Sequence, residues 1–210
     1  MLWRPDDTIA MFVEVIYNFN CAISLDTVDT SNYELHKARI IEGEEFVHKI
    51  LSHTKLSDLD NCMLTHIYGL LAAMYTITHQ SRRALDSFQK CYDIDPANVE
   101  ALYGIAFHYT DKAENTDEAV KLLKKYIAVS PICEKHYPNA LYLLALLYFT
   151  RYENQQEALE YCNRAEKAEK RRLDFLYPVD TDVKKMVQAF KSALTRNNTL
   201  KFRKCLPISG

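Results

Sequence analysis

Apolar residues in the middle of this chain recur at steps of three, one and three, then four and three, and the whole pattern returns. Tyr68, Leu71, Ala72 and Tyr75 lead to Ala84, Phe88, Cys91 and Pro96. Leu102, Ile105, Ala106 and Tyr109 lead in the same order to Ala119, Leu123, Tyr126 and Pro131, and Leu141, Leu144, Ala145 and Tyr148 to Ala158, Cys162 and Ala165. Both spacings select one face of a 3.6-residue helix. Self-similarity at this period predicts helical hairpins that stack on one another, because one hairpin alone cannot bury its apolar face.

The recurring alanines carry the packing argument. Ala72, Ala106 and Ala145 in the first halves, and Ala84, Ala119 and Ala158 in the second, stand where a large side chain would hold two helix axes apart, while Tyr75, Tyr109 and Tyr148 supply bulk beside them. Breaks fall between the halves. Ser81 and Thr116 are read as caps of the second helices, with Asp117 and Glu118 as an acidic first turn. Pro96 and Pro131 end second helices, and Pro138 is placed to open the next first helix.

With these residues the chain resembles the tetratricopeptide repeat family, whose loose signature of large apolar, Gly or Ala, Tyr, Ala, aromatic, Ala and Pro spans 34 residues. The first unit, Thr65 to Asn98, has the full length; Ala84 to Ala119 is 35 steps and Ala119 to Ala158 is 39, with Pro131 to Tyr137 as a longer connector. Tyr126 departs from the family's small residue. Lys170 replaces the closing proline, so the last repeat helix is expected to run on toward Arg172. The expected fold is all-α: a right-handed α-solenoid of helix-turn-helix repeats with flanking N-terminal helices and a C-terminal capping helix.

On this reading residues 1–64 hold N-terminal helices that could form a degenerate repeat, 65–175 three repeats, 176–196 the capping helix and 197–210 a poorly ordered tail. Asp7 or Thr8 would start a helix reaching Ile23, and Ser31 would cap another with Leu35, Ala38, Ile41, Phe46, Val47, Ile50 and Leu51 on its apolar face. After an extended joint at Tyr177, Pro178 and Val179, a helix from Asp180 or Thr181 carries Val183, Met186, Val187, Phe190 and Leu194 on one side. Lys184, Lys185, Lys191 and Arg196 would give it the polar outer side that the open end of a solenoid requires.

Composition narrows the function. A formal net charge of −2 leaves no electrostatic case for nucleic acid or an anionic membrane surface. Six cysteines contain no CxxC pair, and Cys91 and Cys162 occupy repeat core positions, so buried reduced thiols are expected, and with them the cytoplasm, or alternatively the nucleus. Thr8 to Leu25 approaches the length of a membrane span. Glu14 at the centre of hydrocarbon would cost about 3 kcal/mol, and Asp6 and Asp7 occupy the region where a signal peptide is basic, so the expected role is a helix buried against the stack.

Chemistry is sparse. Glu45 and His48 have the Glu-x-x-His spacing of carboxylate-bridged metal bundles, but a single copy; elsewhere no HExxH, phosphate loop or nucleophile elbow occurs. No enzyme activity, metal or cofactor is expected. The resemblance implies instead that ligand-facing positions lie one, five and eight residues after each leading apolar residue: Gly69, Ala73 and Thr76, then Tyr103, Phe107 and Thr110, then Tyr142, Leu146 and Phe149. None is the lysine, arginine or asparagine with which family members grip acidic tails, so a carboxylate-clamp co-chaperone is not expected. What remains is an aromatic groove suited to a peptide or amphipathic helix of a protein partner, with Tyr103, Phe107, Tyr142, Leu146 and Phe149 as the binding residues. Three alternatives stay open: an obligate subunit, or the repeat portion of a longer protein, whose groove is covered in an assembly; a groove filled by the chain's own Thr8–Ile23 segment or by the tail with Phe202, Leu206 and Ile208; and metal-dependent chemistry near Glu45 and His48.

Overall fold

The computed structural model describes residues 30–53, 61–110 and 115–171, together with 184, 185, 187–189, 191 and 192. Among them every regular element is helical: α1 (Thr30–His53), α2 (Asn61–Ile77), α3 (Ser81–Ile94), α4 (Val99–Thr110), α5 (Thr116–Val129), α6 (Tyr137–Thr150) and α7 (Gln155–Glu169), with residues 184–185, 187–189 and 191–192 belonging to further helical structure. The chain divides into two compact units, residues 1–101 and 102–210. The helix and membrane readings of Thr8–Leu25, the joint at Tyr177–Val179 and the tail from Asn197 lie outside the described residues.

In the first unit a connection of three residues turns α2 back on α3. Ala72 and Ala84 are fully buried, and the Cys91 thiol reaches the Thr65 carbonyl at 3.2 Å, pinning the end of one helix to the start of the other. The turn needs a left-handed residue, which is His79 at φ 58°; the Gln80 amide then donates to the Tyr75 carbonyl at 2.8 Å and satisfies the open end of α2. Helix α1 packs on α2 through Ile40, Val47 and Ile50, which share a core with Ile67, Leu71, Met74 and Tyr75.

The buried face of α1 corrects the sequence reading. Val47 and Ile50 are buried as expected, but Ala38 is exposed and Ile41 is 44 % exposed, while Ile40 and Gly43 take their places on the buried side. Gly43, Val47 and Ile50 repeat the four-and-three spacing of Ala84, Phe88 and Cys91, so α1 carries the pattern of a second repeat helix with glycine at the small position. A Cβ there would lie 2.9 Å from the Met74 methyl, so the end of that buried side chain would have to shift.

In the second unit the small first-half residues Ala106 and Ala145 and the second-half residues Ala119, Leu123, Tyr126, Ala158, Cys162 and Ala165 are all fully buried. Helix α6 packs between α5 and α7. Its sequence is apolar on every side, and Leu141, Leu143, Leu144 and Leu147 are all buried, as such a helix requires. Pro138 sits in its first turn, as its fixed φ favours. Glu153, with φ 54°, makes the left-handed turn before α7 five residues ahead of Ala158, the same register as His79 ahead of Ala84.

The helix ends differ from expectation in four places. Ser81 and Thr116 are the first residues of their helices, behind Gln80 and Asn115, and neither N-cap residue makes a side-chain capping bond. Caps with the expected chemistry are Asn98, whose Oδ1 accepts from the Ala101 amide at 2.9 Å, and Asn154, which accepts from the Glu157 amide at 3.1 Å. Ser31 likewise lies inside α1, which begins at Thr30. Finally, α7 stops at Glu169: the Arg171 amide tightens onto the Ala168 carbonyl at 3.1 Å, closing the helix before Arg172 without a proline.

Candidate partner-binding face

The five residues expected to meet a partner fall on α4 and α6 of the second unit, and the structure divides them. Tyr103, Phe107 and Leu146 are half-buried; Tyr142 and Phe149 are buried, at 0 % and 2 % exposure. Tyr103 and Phe107, one helical turn apart, stack with ring centroids at 6.1 Å. Tyr103 also stacks on His136 at 4.2 Å with an interplanar angle of 5°, and its ring lies 5.6 Å from that of Tyr126, tilted by 49°. The long connector between α5 and α6 thus places His136 on the aromatic face, a contribution the repeat register gives no reason to expect.

Tyr142 points elsewhere. Its hydroxyl donates to Glu169 Oε2 at 2.9 Å, and burial, followed by that bond and the carboxylate charge, pushes the phenol well above its usual range. Glu169 also pairs with Lys184, while Lys191 Nζ reaches Glu166 at 2.8 Å and Asn163 at 3.1 Å. Lys184 and Lys191 were expected to face solvent as the outer side of a cap. Instead they turn onto α7, because Glu166 and Glu169 stand three apart on one face of that helix, and Val187 between the lysines is fully buried. Tyr142, Glu166, Glu169, Lys170, Lys184 and Gln188 line an open pocket of about 360 Å³.

A second ordered feature ties α5, α6 and α7 together. Lys124 lies 5.3 Å from the centroid of Tyr148, Tyr148 stacks on Tyr161 at 5.4 Å and 17°, and Arg164 lies 5.2 Å from Tyr161. Cation–ring contacts at both ends of a stacked pair act as a clamp across three helices. The hydroxyl of Tyr152, 40 % exposed, donates to Asp117, which pushes the phenol up to about 12.

In the first unit the corresponding register positions are small. A Cβ on Gly69 would meet nothing within 4 Å, and Thr76 is exposed with its hydroxyl on the Ala72 carbonyl at 2.8 Å. The Glu45–His48 spacing does not become a pair. His48 Nε2 lies 3.1 Å from the Tyr75 hydroxyl and 3.6 Å from Glu44 Oε1, and Glu44 also accepts from Tyr75 and Arg83, each at 3.2 Å. Glu45 points to solvent. This network bolts α1 to the α2–α3 hairpin. Among the described residues no three His, Cys, Asp or Glu side chains converge on a point where they would hold a metal ion.

Cys62, Cys91, Cys133 and Cys162 are free thiols, and Cys91 and Cys162 are buried at the core positions the repeat assigns them. Burial pushes both thiols up to about 11. Among the described residues no helix is long and apolar enough to cross a membrane.

Neither a family model nor a curated protein matches this sequence. Among solved structures, the crystal structure of MamA matches with a TM-score of 0.51 at 16 % identity, over 81 % of this chain and 97 % of that one. MamA is a TPR-like helical protein, so the likeness shows the fold: this chain is all-α, with the TPR-like helical solenoid architecture.

Proposed function

We propose that this chain is a non-catalytic scaffold that holds a peptide or helix of another protein against the half-buried aromatic face of Tyr103, Phe107 and Leu146. The observation that carries the reading is the Tyr103–Phe107–His136 stack. Three rings packed on one another are rigid before a partner arrives, so capture costs little side-chain entropy while apolar area is buried. The TPR-like fold supports it, since such repeats present first-helix side chains as a surface. The buried, unpaired thiols Cys91 and Cys162 suit a reducing compartment, the cytosol or nucleus.

The test is affinity capture with the wild-type chain and with Tyr103→Ala and Phe107→Ala, identified by mass spectrometry, with circular dichroism confirming equal helix content. Proteins retained by the wild type and lost by both variants support the face; an identical set retained by all three removes it. Tyr142→Ala is unsuitable for this purpose, because a fully buried ring is part of the packing. A second reading, an obligate subunit of a larger assembly, is favoured by the exposure of Val129 at 51 % and Ile132 at 42 %. Sedimentation separates them: a well-behaved monomer at micromolar concentration argues against the obligate subunit.

A further inference from the structure

Among the described tyrosines Tyr152 alone is exposed, at 40 %, while the others are buried or half-buried. It stands in the turn between α6 and α7, inside a stretch, Arg151 to Gln156, in which every residue is exposed; no other described stretch is exposed for so long. The turn is lightly held. The Tyr152 amide reaches the Leu147 carbonyl at 3.3 Å, the Asn154 amide reaches the Tyr148 carbonyl at 2.9 Å, and Glu153 between them takes the left-handed φ of 54°. Opening one surface turn of this kind leaves the helices on either side in place, so an enzyme reaches the phenol without unfolding the unit. What the side chain itself adds is a tether. Its hydroxyl donates to Asp117 in the first turn of α5, and its ring lies 5.2 Å from that of Tyr148, which belongs to the clamp across α5, α6 and α7.

We propose that the Tyr152 hydroxyl is a site of phosphorylation, and that the phosphate unties the α6–α7 turn from α5. In the transfer the phenol oxygen attacks the terminal phosphorus of a nucleoside triphosphate. A new O–P bond forms, the bond from that phosphorus to the bridging oxygen breaks, the nucleoside diphosphate leaves, and the phenol proton passes to the base of the kinase. The present tether depends on that proton, because the Asp117 carboxylate only accepts hydrogen bonds. Phosphorylation replaces the donor with about 1.5–2 negative charges on three acceptor oxygens. Facing them are Asp117 and, in the same helical turn, Glu118, against a helix N-terminus equivalent to about half a positive charge. Even with Lys121, paired with Glu118 at 3.2 Å, counted on the attractive side, the balance stays negative. Repulsion therefore outweighs the pull of the helix end, and the turn is released.

The full chain is incubated with magnesium, ATP and soluble tyrosine kinases chosen from a panel because they modify a synthetic peptide of residues 149–157, in which Tyr152 is the one tyrosine. Phosphosites are followed in time by tandem mass spectrometry. The proposal expects Tyr152 to be modified before any other described tyrosine, and Tyr152→Phe to abolish that first phosphate. It is overturned if no kinase of the panel accepts the peptide, if the folded chain stays unmodified at Tyr152, or if a buried or half-buried tyrosine is modified first. Amide hydrogen exchange reads the release of the turn. Across residues 151–154 the phosphorylated chain should exchange about three- to tenfold faster than the unmodified one, since an exposed hydrogen bond to a carboxylate is worth about that factor. In Asp117→Asn the opposing side chain is neutral and is able to donate to a phosphate, so the same modification should raise exchange less. Equal increases in the two proteins overturn the untying. Phosphosite mapping reads Tyr152 and partner capture reads Tyr103 and Phe107, so this inference and the scaffold reading fail separately.

Discussion

His79 is the sharpest place to perturb the fold with a predictable sign. It links α2 to α3 at φ 58°, a left-handed conformation that costs an L-residue about 1–2 kcal/mol relative to right-handed backbone. The side chain is exposed, so its removal opens no core. Glycine relieves the steric cost but brings an unfolded-state entropy cost of about 0.5–1 kcal/mol. The net expectation for His79→Gly is therefore a gain of about 0.5–1 kcal/mol. For a chain of this size that corresponds to a rise of about 1–4 °C in thermal midpoint. His79→Ala is the control: it removes the imidazole and keeps the Cβ, so it gains nothing. Urea and thermal unfolding followed by circular dichroism would read all three proteins, with an unchanged denaturant slope showing that the unfolded state is comparable. If His79→Gly falls to or below His79→Ala, the strain argument is wrong. Glu153→Gly, at the same register before α7, should move in the same direction.

Two glycines one helix apart should respond oppositely to added side chains. Gly69→Ala should stabilise by about 1 kcal/mol, because a Cβ there meets nothing within 4 Å and alanine favours the helix. Gly43→Val should cost about 1–3 kcal/mol, since even its Cβ would press on the buried Met74 methyl; equal signs in urea unfolding would refute the packing of α1 on α2. High pH tests the buried thiols. Cys91 and Cys162 hold their protons more tightly folded than unfolded, with the thiols raised from 9.0 to about 11, so their stabilising effect is complete below pH 9 and is lost as pH rises toward 11. Unfolding free energy should decline across that window, and Cys91→Ala/Cys162→Ala should delay the onset toward pH 10, where the unfolded tyrosines begin to ionise while Tyr142 and Tyr161 remain protonated. An onset unmoved by the double substitution would refute it.

The repeat core was legible because its signal is local and periodic. Ala72, Ala84, Ala106, Ala119, Ala145 and Ala158 are all at 0 % exposure, since a helix–helix approach admits only a small side chain at that register. Helix ends were read less well. Ser81 and Thr116 have capping chemistry but fall one residue inside their helices, while Asn98 and Asn154 do the capping; the choice depends on where the preceding turn releases the chain. The face of α1 was misread because Ile40 and Ile41 are adjacent and equally apolar, and hydropathy alone cannot choose between them. Gly43 is the signal that could have chosen, since placing it at the register of Ala84 puts Ile40, three residues ahead of it, on the buried side with Val47 and Ile50.

The candidate site was legible only as far as the register reaches. Counting from Leu102 and Leu141 selects Tyr103, Phe107 and Leu146, which are half-buried beside one another or on the next first helix, but the same count selects Tyr142 and Phe149, which are buried. The reason lies in what sits opposite. A register position is open or covered according to the neighbouring element, and for Tyr142 that element includes Glu169 from the following helix and Lys184 from fifteen residues beyond Glu169. Two glutamates three apart and two lysines seven apart are each ordinary surface spacing when read alone. They become a pattern only when the segments run antiparallel, so that the first lysine meets the second glutamate and the second lysine the first. Repeat periodicity therefore encodes the framework, whereas the coverage of Tyr142 is set by charge pairs between segments with no common period.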